Sequence, residues 1–130
     1  GLVTYIPFGC CLLSVKYGVD KRPEAGRLID NKMYQTRYGD SFAIADGFTA
    51  MAGELGVHPV PLAIAWAGSH PAVTAPIIGA RNLEQLELCL GAADIEVDAS
   101  LRERISSLSP TPPPATDRNE ESSSHNYGSR

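Results

Sequence analysis

Pro76-Ile77-Ile78-Gly79-Ala80-Arg81-Asn82-Leu83-Glu84-Gln85-Leu86 reads as a short buried strand, a glycine turn and the opening of a helix. A helix start presents free backbone N–H groups and the positive end of the helix dipole, which is the arrangement that holds a phosphate. Gly79 lets the backbone turn close to a ligand. Arg81, Gln85 and Cys89 follow at steps of four, which predicts one shared helix face. An arginine and an amide beside a phosphate-ready helix start point to a nucleotide clamp.

Upstream, residues 1–8 are apolar and β-prone up to Pro7 and predict a short strand at about 2–6. Gly9 to Tyr17 reads as an irregular turn or one or two helical turns. Gly18, Pro23, Gly26 and Gly39 punctuate a charged loop from Gly18 to Asp40, with a short helix near Asp30 to Arg37. Residues 41–55 predict a helix, because Ala45, Phe48, Ala52 and Leu55 make one apolar stripe. Asp40 or Ser41 starts it and Gly56 ends it. Pro59 and Pro61 stand at the mouth of the next helix, residues 60–69, which is apolar nearly all round. His70-Pro71 closes that helix. A second strand is expected at 73–78, weakened by Pro76. Downstream, 82–91 predicts a helix with Leu83, Leu86 and Leu90 toward a core. Asp98 caps a last helix that uses Leu101, Ile105 and Leu108.

The chain has 130 residues, 43% of them hydrophobic, enough for the core of one domain. A net charge of −4 supplies no global basic field to draw nucleic acid or anionic membrane. No apolar run approaches the roughly 20 residues of a spanning helix, and no signal-peptide pattern is present. Cys10, Cys11 and Cys89 are odd in number and two are adjacent, which argues against a disulfide framework and for buried thiols in a cytoplasmic protein. No Cys or His spacing suits a metal, and His58, His70 and His125 stand apart. Residues 1–108 form the expected folded part. Residues 109–130, rich in proline and serine, form an expected disordered tail. The chain opens inside an apolar run without a Met, which reads as a cut through a larger protein. Strand, helix, strand, helix implies parallel strands with helical crossovers. Parallel sheets are buried on both faces, so two strands describe part of a larger sheet.

Thr4-Tyr5-Ile6-Pro7-Phe8 resembles the seventh-strand Tyr-Ser-Pro-Leu of the aldo-keto reductases. Leu12-Leu13-Ser14-Val15-Lys16-Tyr17 resembles their Leu-Leu-Thr-Gly-Lys-Tyr, and Pro23-Glu24-Ala25-Gly26-Arg27 their Pro-x-Gly-Ser-Arg. Leu62-Ala63-Ile64-Ala65-Trp66 is similar to their Leu-Ala-Trp helix, and Ala75 to Leu90 to their eighth strand and helix. The resemblance implies an α/β fold: the C-terminal part, strands seven and eight with their helices, of a TIM (β/α)8 barrel. It implies an NADP(H)-dependent oxidoreductase that interconverts carbonyls and alcohols. The family's Asp, Tyr, Lys and His tetrad lies on earlier strands, and no stretch here matches it, so no catalytic residue is assigned and the isolated chain is expected to be inactive.

The same resemblance implies cofactor roles. Tyr5 matches the tyrosine that stacks on the nicotinamide. Ile6 stands where a serine holds the pyrophosphate, and its hydroxyl is lost. Pro7 and Phe8 supply backbone and shape. Lys16 matches a lysine that pairs with the pyrophosphate. Gly79, Arg81 and Gln85 match the turn, the 2′-phosphate ligand and an adenine-side amide. Cys89 replaces an asparagine at the adenine. Cys10 and Cys11 occupy a turn that often carries glycine, and Val15 replaces a common glycine. Asn82 reads as a helix-start residue. A truncated non-enzymatic relative, acting as a nucleotide-binding or interaction module, is the competing expectation. A self-contained small α/β domain is a third. Exposed strand edges predict self-association or aggregation for such a domain and for the fragment.

Overall fold

Alternating apolar segments and glycine or proline breaks become nine short elements in the computed structural model, which describes residues 1–38 and 41–111, the Arg37 side chain aside. In order they are β1 (Leu2–Thr4), α1 (Arg27–Asp30), α2 (Lys32–Tyr38), α3 (Phe42–Glu54), α4 (Pro59–Gly68), β2 (Val73–Pro76), α5 (Leu83–Leu90), a 3₁₀ turn (Gly91–Asp94) and α6 (Ala99–Ser106).

β1 and β2 form a two-stranded parallel sheet, with Leu2 opposite Val73, Val3 opposite Ala75 and Thr4 opposite Pro76. One further bond runs from the Ile77 N–H to the Thr4 carbonyl at 2.7 Å. Pro76, which has no N–H, takes the last position of its strand. Both strands are shorter than the sequence predicts. β1 stops at Thr4 because Ile6 adopts φ = 57° and turns the chain. The sheet is not closed, so Leu2, Val3 and Ile77 remain about half exposed.

The helices hold the core. Ala45 and Ala52 on α3 are fully buried and Phe48 between them is 1% exposed. Phe48 and Ala52 pack with Leu62 and Ala63 of α4 and Ile105 of α6. Ala45 packs with Leu12, Tyr17 and Leu28. The expected stripe stops one residue early, since Leu55 is 38% exposed. α4 is buried from Pro59 through Ile64, as its apolar composition predicts.

Gly56 ends α3 with φ = 68°. Its N–H bonds the Gly53 carbonyl and the Val57 N–H bonds the Ala52 carbonyl, the Schellman pattern. Ser41 starts α3 without a side-chain cap bond, and Asp40 lies outside the described residues. Asp98 caps α6 through Leu101 N–H at 2.7 Å, as expected.

Three further expectations change. The Gly18–Asp40 loop holds two helices, α1 and α2, where the sequence suggests one. The leucines of α5 do not face a core: Leu83, Leu86 and Leu90 are 68%, 39% and 55% exposed. α5 instead docks through Cys89 and Leu88 onto Val60 and Ile64 of α4, which turns the leucine stripe away from the chain. Finally, Arg81 precedes the N-cap of α5 and Cys89 is buried, so Arg81, Gln85 and Cys89 do not share one open face. From residue 112 onward the predicted tail lies outside the described residues.

Candidate functional site

Parallel pairing in this register brings the C-terminal ends of β1 and β2 side by side. The two stretches that carry the predicted ligand groups, Tyr5–Phe8 and Gly79–Gln85, therefore leave the sheet at the same edge. Phe8 and Ile78 both pack against the Val60, Ile64 and Cys89 cluster, which ties the two exits to α4. Tyr5 is 68% exposed, leaving its ring open as a flat apolar platform.

On the β2 side, Ile78 to Leu83 and Leu86 line a shallow hollow of about 400 Å³. Asn82 caps α5, its Oδ1 accepting the Gln85 N–H at 2.9 Å. The Gln85 Oε1 reaches back to accept the Arg81 N–H at 3.1 Å. These two bonds resemble a capping box whose return bond falls one residue early, on Arg81 instead of Asn82, and they hold the turn in which Arg81 sits. Gln85 thus spends its carbonyl on the backbone and keeps only its amide NH₂ for a ligand. Among the described residues, the Arg81 guanidinium has no protein partner. Gly79 keeps φ outside the left-handed region, and the space where a Cβ would stand is empty, so its contribution is room. The first-turn N–H groups of α5 and the Arg81 fork suit a phosphate, while the exposed Glu84 in the same turn opposes one.

On the β1 side the backbone is unusual. Ile6, Cys10, Cys11 and Val15 have φ of 57°, 54°, 77° and 72°, and Gly9 lies between with 60°. The left-handed region favours glycine and disfavours β-branched residues most. The expectation that Cys10, Cys11 and Val15 stand in glycine-type positions is met by these angles. Cys10 is 2% exposed, and its thiol is pushed up by burial, against the opposing pull of Arg27, Tyr34 and Tyr38. Lys16 follows Val15, is exposed, and has no partner for its ammonium among the described residues. Ile6 brings no hydroxyl to this edge, so the serine-type contact is missing.

Cys89 sits apart from the Arg81 hollow. It is 4% exposed, burial pushes its thiol up, and it lines a separate apolar hollow of about 480 Å³ between α4, β2 and α5.

Sequence reading missed one role. His58 is the N-cap of α4, its Nδ1 accepting the Val60 N–H at 3.1 Å. The signal was present in a polar residue directly before Pro59 at a helix mouth. Desolvation lowers its pKa, although the residue as a whole is exposed. His70 is a turn residue as expected, with Nδ1 accepting the Ala72 N–H at 3.1 Å. Among the described residues, no group of three His, Cys, Asp or Glu side chains is placed to hold a metal, and no helix is long and apolar enough to cross a membrane.

The model of the Aldo/keto reductase family matches residues 1–110. An uncharacterized oxidoreductase of Mycobacterium tuberculosis is 33% identical over 104 residues, covering 80% of this chain and 32% of that protein. An uncharacterized oxidoreductase of Bacillus subtilis is 35% identical over 65 residues, covering 50% of this chain and 20% of that protein. A probable voltage-gated potassium channel subunit beta of Oryza sativa subsp. japonica is 31% identical over 99 residues, covering 73% of this chain and 30% of that protein. The chain thus spans a third or less of the length of these relatives. The family implies a (β/α)8 barrel, and the described residues form an α/β arrangement of two parallel strands joined through helices that is not closed. The match runs from β1 through α6 and takes in both edges of the candidate site, and on that extent the chain belongs to the Aldo/keto reductase family.

Proposed function

We propose that residues 1–108 correspond to the seventh and eighth strands and helices of an aldo-keto reductase barrel, and that they supply its NADP(H)-binding end. One observation carries this reading: the parallel register sets Tyr5–Phe8 and Gly79–Arg81 at one sheet edge. Arg81 holds the 2′-phosphate, with the first-turn N–H groups of α5 beside it. Lys16 meets the pyrophosphate by charge. Tyr5 offers its ring to the nicotinamide, with Pro7 and Phe8 shaping the turn behind it. The Gln85 NH₂ faces the adenine side. The Cys89 and Ile6 side chains, expected at the cofactor by resemblance, make no polar contact in this reading: the one is buried and the other has no polar side-chain atom. When bound, the cofactor supplies or accepts the hydride that interconverts a carbonyl and an alcohol. The acid that completes that reaction belongs to the remaining barrel. The substrate is a small carbonyl or alcohol in the whole protein, acting in the cytoplasm without nucleic acid or membrane. Three free cysteines accord with a reducing compartment.

Fluorescence titration with NADPH tests this. The expected result is saturable binding that weakens at least about tenfold in Arg81→Ala, the loss of a charge-assisted contact, with no carbonyl-dependent NADPH oxidation by the isolated chain. Absence of binding, or binding indifferent to Arg81, overturns it. A second reading, a nucleotide-binding module without turnover, draws on the missing Ile6 hydroxyl and the non-glycine residues at Cys11 and Val15. It is distinguished by finding no turnover in the whole protein that contains this segment.

A further inference from the structure

We infer that Asp46 is a positioning residue for Lys16, acting through a clamp on the turn that follows it. The inference rests on the reading of Lys16 as a pyrophosphate contact. Gly18 and Lys21 close a tight turn, with Gly18 N–H bonding the Lys21 carbonyl at 3.0 Å and Lys21 N–H returning to the Gly18 carbonyl at 3.4 Å. Two residues of α3 grip it. The Asp46 Oδ2 accepts the Val19 N–H at 2.8 Å. The Arg22 guanidinium lies over the Phe42 ring at 3.4 Å from its centroid, while Arg22 Nη1 donates to the Lys21 and Val19 carbonyls at 2.9 and 3.3 Å. Phe42 and Asp46 are four apart, so they stand one above the other on a single face of α3. The grip is close: a Cβ on Gly18 would run into the Asp46 carboxylate, so only glycine lets the turn approach that far.

Lys16 is two residues before this anchor. Behind it, Tyr17 is 2% exposed and packs beside Ala45 of the same helix, with its ring 6.3 Å from that of Phe42. In front of it stands Val15 at φ = 72°. The lysine is thus the exposed crest between a turned residue and a clamped one. A long flexible ammonium gains aim only if its backbone is fixed, and Asp46 is the acceptor that fixes it. α3 therefore contributes to the site without touching a ligand.

The test uses the 130-residue chain and three substitutions: Asp46→Leu, which removes the acceptor; Asp46→Asn, which keeps one; and Gly18→Ala, which forces the turn off from the other side. Affinities for NADPH and for 2′,5′-ADP, which lacks the pyrophosphate bridge, are measured beside tryptic cleavage after Lys21, since Pro23 protects the bond after Arg22. Asp46→Leu and Gly18→Ala are expected to weaken NADPH about tenfold, leave 2′,5′-ADP within about twofold, and speed cleavage, with Asp46→Asn restoring all three toward wild type. Unchanged cleavage in Asp46→Leu, or an equal loss for both ligands, overturns the clamp. Faster cleavage in a chain whose wild type binds neither ligand overturns the cofactor reading instead, and with it the role of Lys16, leaving the clamp itself standing.

Discussion

Val15 is a β-branched residue at φ = 72°, directly before the exposed Lys16. A left-handed backbone costs an L-residue about 1–2 kcal/mol because its Cβ crowds the following carbonyl. Glycine escapes that cost but loses about 0.5–1 kcal/mol through the extra freedom of the unfolded chain. Comparing Val15→Ala with Val15→Gly isolates the backbone, because both lose the half-buried isopropyl group. The glycine variant is expected to be the more stable of the two by about 0.5–1 kcal/mol. In mid-helix the order reverses, so Ala65→Gly in α4 is expected to cost about 1 kcal/mol. Urea unfolding followed by the single tryptophan, Trp66, reads both comparisons. With a urea slope of about 2 kcal/mol/M, the expected gap at position 15 is roughly 0.3–0.5 M in midpoint. An alanine variant at least as stable as the glycine variant would refute the left-handed assignment at Val15.

Gly56→Ala is expected to cost about 1 kcal/mol in the same assay: φ is 68° and nothing stands within 4 Å of an added Cβ, so only backbone strain acts. A neutral result would remove the Schellman end of α3. Desolvation lowers the His58 pKa from 6.5, so the unfolded chain takes up the proton first. The stability due to this group is complete above 6.5 and is lost as pH falls from there through the folded value. His58→Asn keeps an N-cap acceptor without titrating and should flatten that part of the stability–pH curve; an unchanged curve would exclude His58 as its source. Sedimentation should show the wild-type chain associating at tens of micromolar through its open strand edges and leucine stripe, and Leu83→Glu with Leu90→Glu should shift it toward monomer. A monomeric wild type contradicts this.

The elements with local signals were the legible ones. The α3 stripe, the Gly56 stop, the two prolines at the mouth of α4 and the Asp98 cap each rest on interactions within a few residues, and sequence carries those directly. Asn82 was readable as a helix start for the same reason. What failed was rotation and path. The spacing of Leu83, Leu86 and Leu90 shows a stripe but not which neighbour meets it, and α4 meets Cys89 instead. Steps of four placed Arg81 on the helix, whereas the Asn82 cap leaves it one residue outside. β1 ends earlier than its apolar run predicts, and nothing in Thr4-Tyr5-Ile6 announces that an isoleucine will take a positive φ. The glycine-type turn through Cys10, Cys11 and Val15 was legible only by resemblance, since no local rule assigns that conformation to cysteine or valine.

The two ends of the candidate site differ in how much of their support lies within this chain. The Arg81 end is held locally: Asn82 Oδ1 takes the Gln85 N–H, Gln85 Oε1 takes the Arg81 N–H, and α5 is seated on α4 through Cys89. The Tyr5 end is not, because Tyr5 is 68% exposed beside a two-stranded sheet whose outer edges are open. On the proposed reading a nucleotide meets a locally held phosphate end and an unsupported platform at the other, and ordering that platform on binding cancels much of what stacking gains. Two consequences follow for the isolated chain. NADPH should bind about tenfold or more tighter than NADH, because the contact that separates them is the charge-assisted one at Arg81. 2′-Phospho-ADP-ribose, which keeps the pyrophosphate but lacks the nicotinamide, should bind within about twofold of NADPH. Equal affinities for NADPH and NADH would mean that Arg81 is turned away from the ligand. A large loss on removing the nicotinamide would mean that Tyr5 is held in place without its neighbouring strands.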